Sequence, residues 1–187
     1  MPWAQRRRQG ISPLVLGLGF ALLLGLSQAR AQTASEYALK AVYFQTFGRY
    51  VTWPDSLTHL ESDAPFVIGV LGNNPFNDTL EKLYAKNTIQ GRRVEIRYLE
   101  TLENDILHVL FISRSQRHQV SRIIEKTKNR PILTVADFDG AAKFGVHVNF
   151  YVTGGSNLKF EINQSAVETA GLKMSFHLLQ YARIVED

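Results

Sequence analysis

The sequence predicts an α/β fold: a single-domain three-layer sandwich, with a mostly parallel sheet and a C-terminal antiparallel hairpin. Three observations carry this. Apolar runs of strand length at 65–71, 106–112 and 131–135 alternate with segments of helical period, the pattern of βαβ crossovers. The run F-V-I-G-V-L at 66–71 is continuous rather than alternating, as expected for a strand covered on both faces. Finally, T-G-G-S-N at 153–157 separates two strand-like stretches by a turn of hairpin composition.

The N-terminus is read first as a targeting segment. Arg6, Arg7 and Arg8 precede an apolar run of 16 residues at 11–26, and Ala29-Arg30-Ala31 follows. A positive cluster, an apolar stretch and a small-x-small site, in that order, form a secretory leader. The run is shorter than the roughly 20 apolar residues of a membrane span, although an uncleaved anchor is the alternative. The expectation is a signal peptide at 1–31, cleavage near Ala31 and Gln32, a domain at 32–187, and a periplasmic location. The general secretory route fits better than twin-arginine export, because the residues after the arginines depart from that pattern.

Removing the leader changes the charge argument. Of 21 Lys and Arg, four lie in the first 31 residues, where there is no acid, which leaves 17 bases against 17 acids. A formally neutral domain lacks the general attraction to phosphate backbones, so no nucleic-acid partner is expected. The sequence has no cysteine, which excludes thiol catalysis, Cys-ligated zinc and disulfides. A domain of this length can bury a core without such staples.

The elements follow in order. Residues 34–53 read as a helix rich in alanine, leucine and aromatics, with Phe44, Phe47 and Val51 on its core face. Glu36 and Lys40 form an i,i+4 pair expected on the wet face, and Pro54 stops the helix. After the strand at 65–71 come a turn, Gly72-Asn73-Asn74-Pro75, and a helix at 76–86 with Leu80, Leu83 and Tyr84 inward. Residues 93–99 alternate Val94, Ile96 and Tyr98 with polar residues, the mark of a half-covered strand. The strand at 106–112 leads to Ser113 and Ser115, either of which can cap a helix at 116–128. A short strand at 131–135 follows. Residues 146–152 and 158–162 pair as the hairpin, at an edge of the sheet or near it. Helices at 163–170 and 172–184, broken by Gly171, finish the chain.

Catalytic signatures are missing. There is no G-x-S-x-G elbow, no H-E-x-x-H and no phosphate-binding loop. The five histidines are scattered, and His147, between Val146 and Val148, reads as one face of a strand. Three weaker features remain. Asn73 and Asn74 lie after a strand and before a helix, where α/β folds bind ligands, but turn chemistry explains them as well. Ser113 and Ser115 sit at another such junction, where an anion site and plain N-capping compete. Asp137 and Asp139, in D-F-D-G, could hold a cation or do acid–base work, yet a tight Asp-Gly turn accounts for them too. No enzymatic activity, cofactor or metal is expected.

The C-terminal half carries a resemblance. V-N-F at 148–150, F-E-I-N at 160–163, and A-G-L-K with L-L-Q-Y-A-R-I-V within 170–185 resemble the YfiR-like family of exported bacterial proteins. R-Y-V-T-W-P at 49–54 is similar to that family's V-x-W-P helix end, and P-I-L-T-V-A-D at 131–137 matches too. F-G-V-H at 144–147 stands where the family commonly has a glycine pair, so a different local loop is expected. The resemblance implies a regulator. The family's best-known member is a periplasmic repressor that binds the periplasmic sensor region of a membrane-bound diguanylate cyclase and keeps cyclic di-GMP low. Other members are expected to serve other inner-membrane sensors, such as histidine kinases. Disulfide-based redox control is excluded here because the chain has no cysteine. A second copy of the chain is a further candidate partner, and small-ligand binding that feeds a sensor or transporter is the alternative function.

The partner surface is expected at the hairpin and the helix after it, where the resemblance is most specific: Phe150, Glu161, Asn163 and Val167. In F-E-I-N, Phe160 and Ile162 share one strand face and Glu161 points to the other. An apolar patch of Phe150 and Val167 with one charged handle, Glu161, would suit an interface. The competing reading makes Phe150 and Val167 core residues and Glu161 a helix cap.

Overall fold

The computed structural model describes residues 13–54, 64–154 and 157–186, with side chains from Gln32 onward. Residues 1–12 of the expected leader lie outside the described residues, and residues 13–31 are described only as helical backbone. Among the described residues no helix is long and apolar enough to cross a membrane. The chain divides into two units, Met1–Glu36 and Tyr37–Asp187. Helix α1 (Pro13–Tyr50) belongs to both, and the rest of the description concerns the second unit.

In that unit α1 places Tyr37, Ala41, Phe44 and Phe47 on one buried stripe. At Gly48 the helix lies against a loop so closely that a Cβ would stand 2.1 Å from Ile89 Cγ2. The helix ends three residues earlier than expected. Val51 and Thr52 leave it to form β1 (Val51–Thr52), which pairs antiparallel with β8 (Lys173–Met174). Trp53 then donates its indole N–H to the His108 carbonyl at 3.1 Å and packs edge-on against Phe66. The tryptophan of R-Y-V-T-W-P thus pins the end of α1 to the sheet.

A seven-stranded sheet forms the middle layer, in the order β3 (Val94–Leu99), β2 (Phe66–Leu71), β4 (Val109–Ile112), β5 (Leu133–Ala136), β6 (Val148–Thr153), β7 (Asn157–Asn163), β9 (Arg183–Val185). The first five run parallel, β7 is antiparallel to β6, and β9 is parallel to β7. Every residue of β2 is buried. Phe66, Ile68 and Val70 face one core with α1, α2 (Thr79–Tyr84) and α4 (Gln164–Thr169), whereas Val67 and Leu71 face the other with α3 (Val120–Thr127). Two cores flanking one sheet make the expected three layers. The half-covered strand at 93–99 is the edge strand β3.

Two further expectations are corrected. The helix at 116–128 begins as a 3₁₀ segment at Arg114–Gln119. The helix at 172–184 is instead β8, a single turn α5 (Phe176–Leu179) and β9. The hairpin consequently has β9 beyond it. Isoleucine and valine at 184 and 185 favour an extended chain, and the open edge of β7 supplies hydrogen bonds that a short isolated helix would forgo.

Candidate functional site

The antiparallel register sets the chemistry of the hairpin. Phe150 faces Phe160, and Asn149 faces Glu161. Because strand side chains alternate, Phe150, Phe160 and Ile162 all enter the α1-side core. Phe47 and Tyr43 both lie within 6 Å of the Phe150 and Phe160 rings, at centroid separations of 5.4–6.0 Å. Val167, on α4, is buried in the same core. The expected apolar surface patch is therefore corrected: Phe150 and Val167 are interior, on the opposite side of the sheet from Glu161.

The other face of the hairpin is polar. Glu161 is 9 % exposed and accepts from Asn149 Nδ2 at 3.1 Å. Its other oxygen pairs with Arg183, its register partner on β9. The Arg183 guanidinium also stacks 4.5 Å from the Tyr151 ring centroid. Its hydrogen bond to Glu161 holds the guanidinium pKa above its ordinary value. Asn149 Oδ1 is buried without a hydrogen-bond donor among the described residues. Glu161, Arg183, Tyr151 and Asn149 form one charged, aromatic unit across three strands. Sequence reasoning missed Arg183 and Tyr151. The pairing of β9 with β7 was needed to find them.

Glu161 does not cap α4. Asn163 does, accepting from Ala166 N at 2.9 Å. The Asn163 amide also donates to the Ala142 carbonyl at 2.9 Å. Asn163 is fully buried, so it supports this face from within.

The weaker ligand candidates meet each other. The Asn73 N–H donates to Ser115 Oγ at 3.0 Å, and Ser115 Oγ lies 3.4 Å from Ser113 Oγ. Asn74 Oδ1 accepts from the Phe76 N–H at 2.8 Å, closing its own turn. Ser113 makes no side-chain cap. Of the two aspartates, Asp139 is exposed and Asp137 is buried. Asp137 Oδ2 is 2.5 Å from Lys40 Nζ and accepts from the Tyr37 hydroxyl at 2.7 Å, while Arg114 Nε reaches Oδ1 at 3.2 Å. Lys40, expected on the wet face, is thus a buried ion-pair partner. Among the described residues no three His, Asp or Glu side chains gather as metal ligands do.

A cavity of about 470 Å³ opens beside the hairpin, between α1, β7 and α5. Tyr43, Tyr50, Phe160, His177 and Tyr181 give it aromatic walls.

Fold and site together define an α/β sandwich domain whose C-terminal hairpin has one face in the core and one polar face. A family model described as YfiR/HmsC-like matches residues 37–183, and the chain belongs to that family. No curated protein matches the chain.

Proposed function

We propose that this chain is a periplasmic regulator that binds the periplasmic region of an inner-membrane signalling protein and represses it. The partner in this reading is a diguanylate cyclase or a related sensor, and repression lowers cyclic di-GMP. The protein acts by contact, without catalysis of its own. The observation that carries the reading is the YfiR/HmsC-like match across 37–183. The leader pattern at 1–31 supports export. The contact surface in this proposal is the Glu161–Arg183–Tyr151 face, which offers an aromatic ring and a charge pair, groups common in interfaces.

The test must respect the pair. A single Glu161→Lys change would set an ammonium against Arg183 inside a near-buried site, so lost function could reflect lost structure. The double exchange Glu161→Arg with Arg183→Glu retains opposite charges in register and reverses their positions. Deleting the gene should raise cellular cyclic di-GMP and surface attachment. The native gene should restore both, and the exchanged variant should fold yet fail to restore them. Unchanged cyclic di-GMP after deletion would refute the cyclase reading. Full restoration by the exchanged variant would place the contact elsewhere.

A second reading, small-ligand binding that feeds a sensor or transporter, is supported by the aromatic cavity at Tyr43, Tyr50 and Tyr181. Its volume of about 470 Å³ lies within the usual range for small-molecule sites. The two readings combine if a ligand prefers the state with or without partner.

A further inference from the structure

A different cavity, of about 320 Å³, lies between the end of α3, the 3₁₀ turn Ala141–Phe144 and α4. Ile124, Phe144 and Ala166 supply apolar wall, and Lys128, Lys143 and His147 supply the polar groups. No carboxylate is among its wall residues.

His147 is the unusual member. It is 1 % exposed. Its Nδ1 accepts from the Thr134 N–H at 3.1 Å, and its own backbone N–H donates to Thr134 Oγ1 at 3.0 Å. With Nδ1 an acceptor, the neutral ring must carry its proton on Nε2. His147 makes no other side-chain hydrogen bond among the described residues, and it is one of the wall residues of the cavity. Burial pushes the imidazole down to about 4, so near neutral pH this wall residue is a neutral ring with one N–H to donate rather than a cation. Positive charge comes from the lysines. Lys128 is shared with Glu125 at 2.9 Å. Lys143 is exposed and has no ion-pair partner among the described residues.

We infer that this cavity binds a small organic carboxylate, with one oxygen accepting from His147 Nε2–H beside Lys143 and the apolar body against Phe144 and Ile124. One N–H donor and the Lys143 ammonium on the same wall suit a monoanion, since hydrogen bonds to a charged acceptor are the stronger kind. The apolar walls favour an anion with a hydrocarbon body over inorganic phosphate. The volume suits a compound of benzoate size, at the small end of ligand cavities. The inference is independent of any membrane partner.

The experiment titrates the full-length protein with benzoate and follows the His147 ring by long-range ¹H–¹⁵N NMR. Benzyl alcohol supplies the same body without the charge, and inorganic phosphate the charge without the body. Benzoate is expected to shift the Nε2–H resonance saturably, with both controls weaker by about tenfold or more. Lys143→Glu should weaken benzoate by at least about tenfold, and Lys143→Ala by less, both with unchanged unfolding midpoints. These lysine variants alter an exposed side chain, so they separate binding from folding. An unmoved His147 resonance would overturn the inference. So would benzyl alcohol or phosphate binding as well as benzoate, or native affinity in both lysine variants.

Discussion

Lys40 shows how far one residue can depart from its local pattern. Four residues after Glu36 it has the spacing of a surface ion pair, yet it is 1 % exposed and bonded to Asp137. Removing one partner of a buried pair leaves the other charge poorly compensated, whereas removing both can be close to neutral. Lys40→Met should therefore destabilise the fold by about 3–5 kcal/mol. The double variant Lys40→Met with Asp137→Leu should recover most of that loss. Denaturant unfolding at constant m-value measures both. A double variant less stable than Lys40→Met alone would show that Asp137 is held by Tyr37 and Arg114 rather than by Lys40.

Elements are tied together here by groups outside their own hydrogen-bond ladders. The six-residue helix α4 is too short to persist alone. Asn163 anchors it at both ends of one amide, with its oxygen on Ala166 N and its nitrogen on the Ala142 carbonyl. Asn163→Ala should cost about 2 kcal/mol, near the upper end for a lost cap. Asn163→Ser, which keeps the capping oxygen, should cost less. Hydrogen exchange of the α4 amides reads the difference locally. Equal protection of α4 in the alanine variant would show that packing of Val167 alone holds the helix. The last segment follows the same logic. Ser175 N–H donates to the Tyr50 carbonyl at 2.8 Å, and its hydroxyl caps α5, so residues 173–185 are shaped by α1 and the sheet more than by helix propensity.

At the scale of the whole molecule, two buried histidines make stability depend on pH. His108 stacks on Phe66 with ring centroids 4.5 Å apart and accepts from the Val67 N–H at 3.0 Å. Burial pushes both His108 and His147 down from 6.5 to about 4. Above the unfolded value neither state is protonated and nothing is lost. As pH falls below about 6.5, the unfolded chain takes up protons that the folded one refuses, so stability decreases until about pH 4 and then levels off. The loss is about 3 kcal/mol per histidine at most. Urea unfolding between about pH 7 and pH 4 should therefore show stability rising with pH across that window. A flat profile would mean that the two rings are protonated in the folded protein.

What the sequence determined by itself was whatever depends on near neighbours. The buried strand at 66–71, the hairpin around 153–157 and the core faces of α1 and α3 all follow from apolar period and turn residues, which act over a few positions. The opposite orientation of Glu161 to Phe160 and Ile162 follows from the two-residue repeat of a strand. Only the tertiary structure decided pairings between distant segments. It set Lys40 against Asp137 and Arg183 against Glu161. It turned residues 183–185 into a strand by offering them an open edge, and it placed Phe150 in the core through its register with Phe160. Such contacts join residues from 10 to 97 positions apart, and no local repeat encodes which face of which strand a side chain will meet.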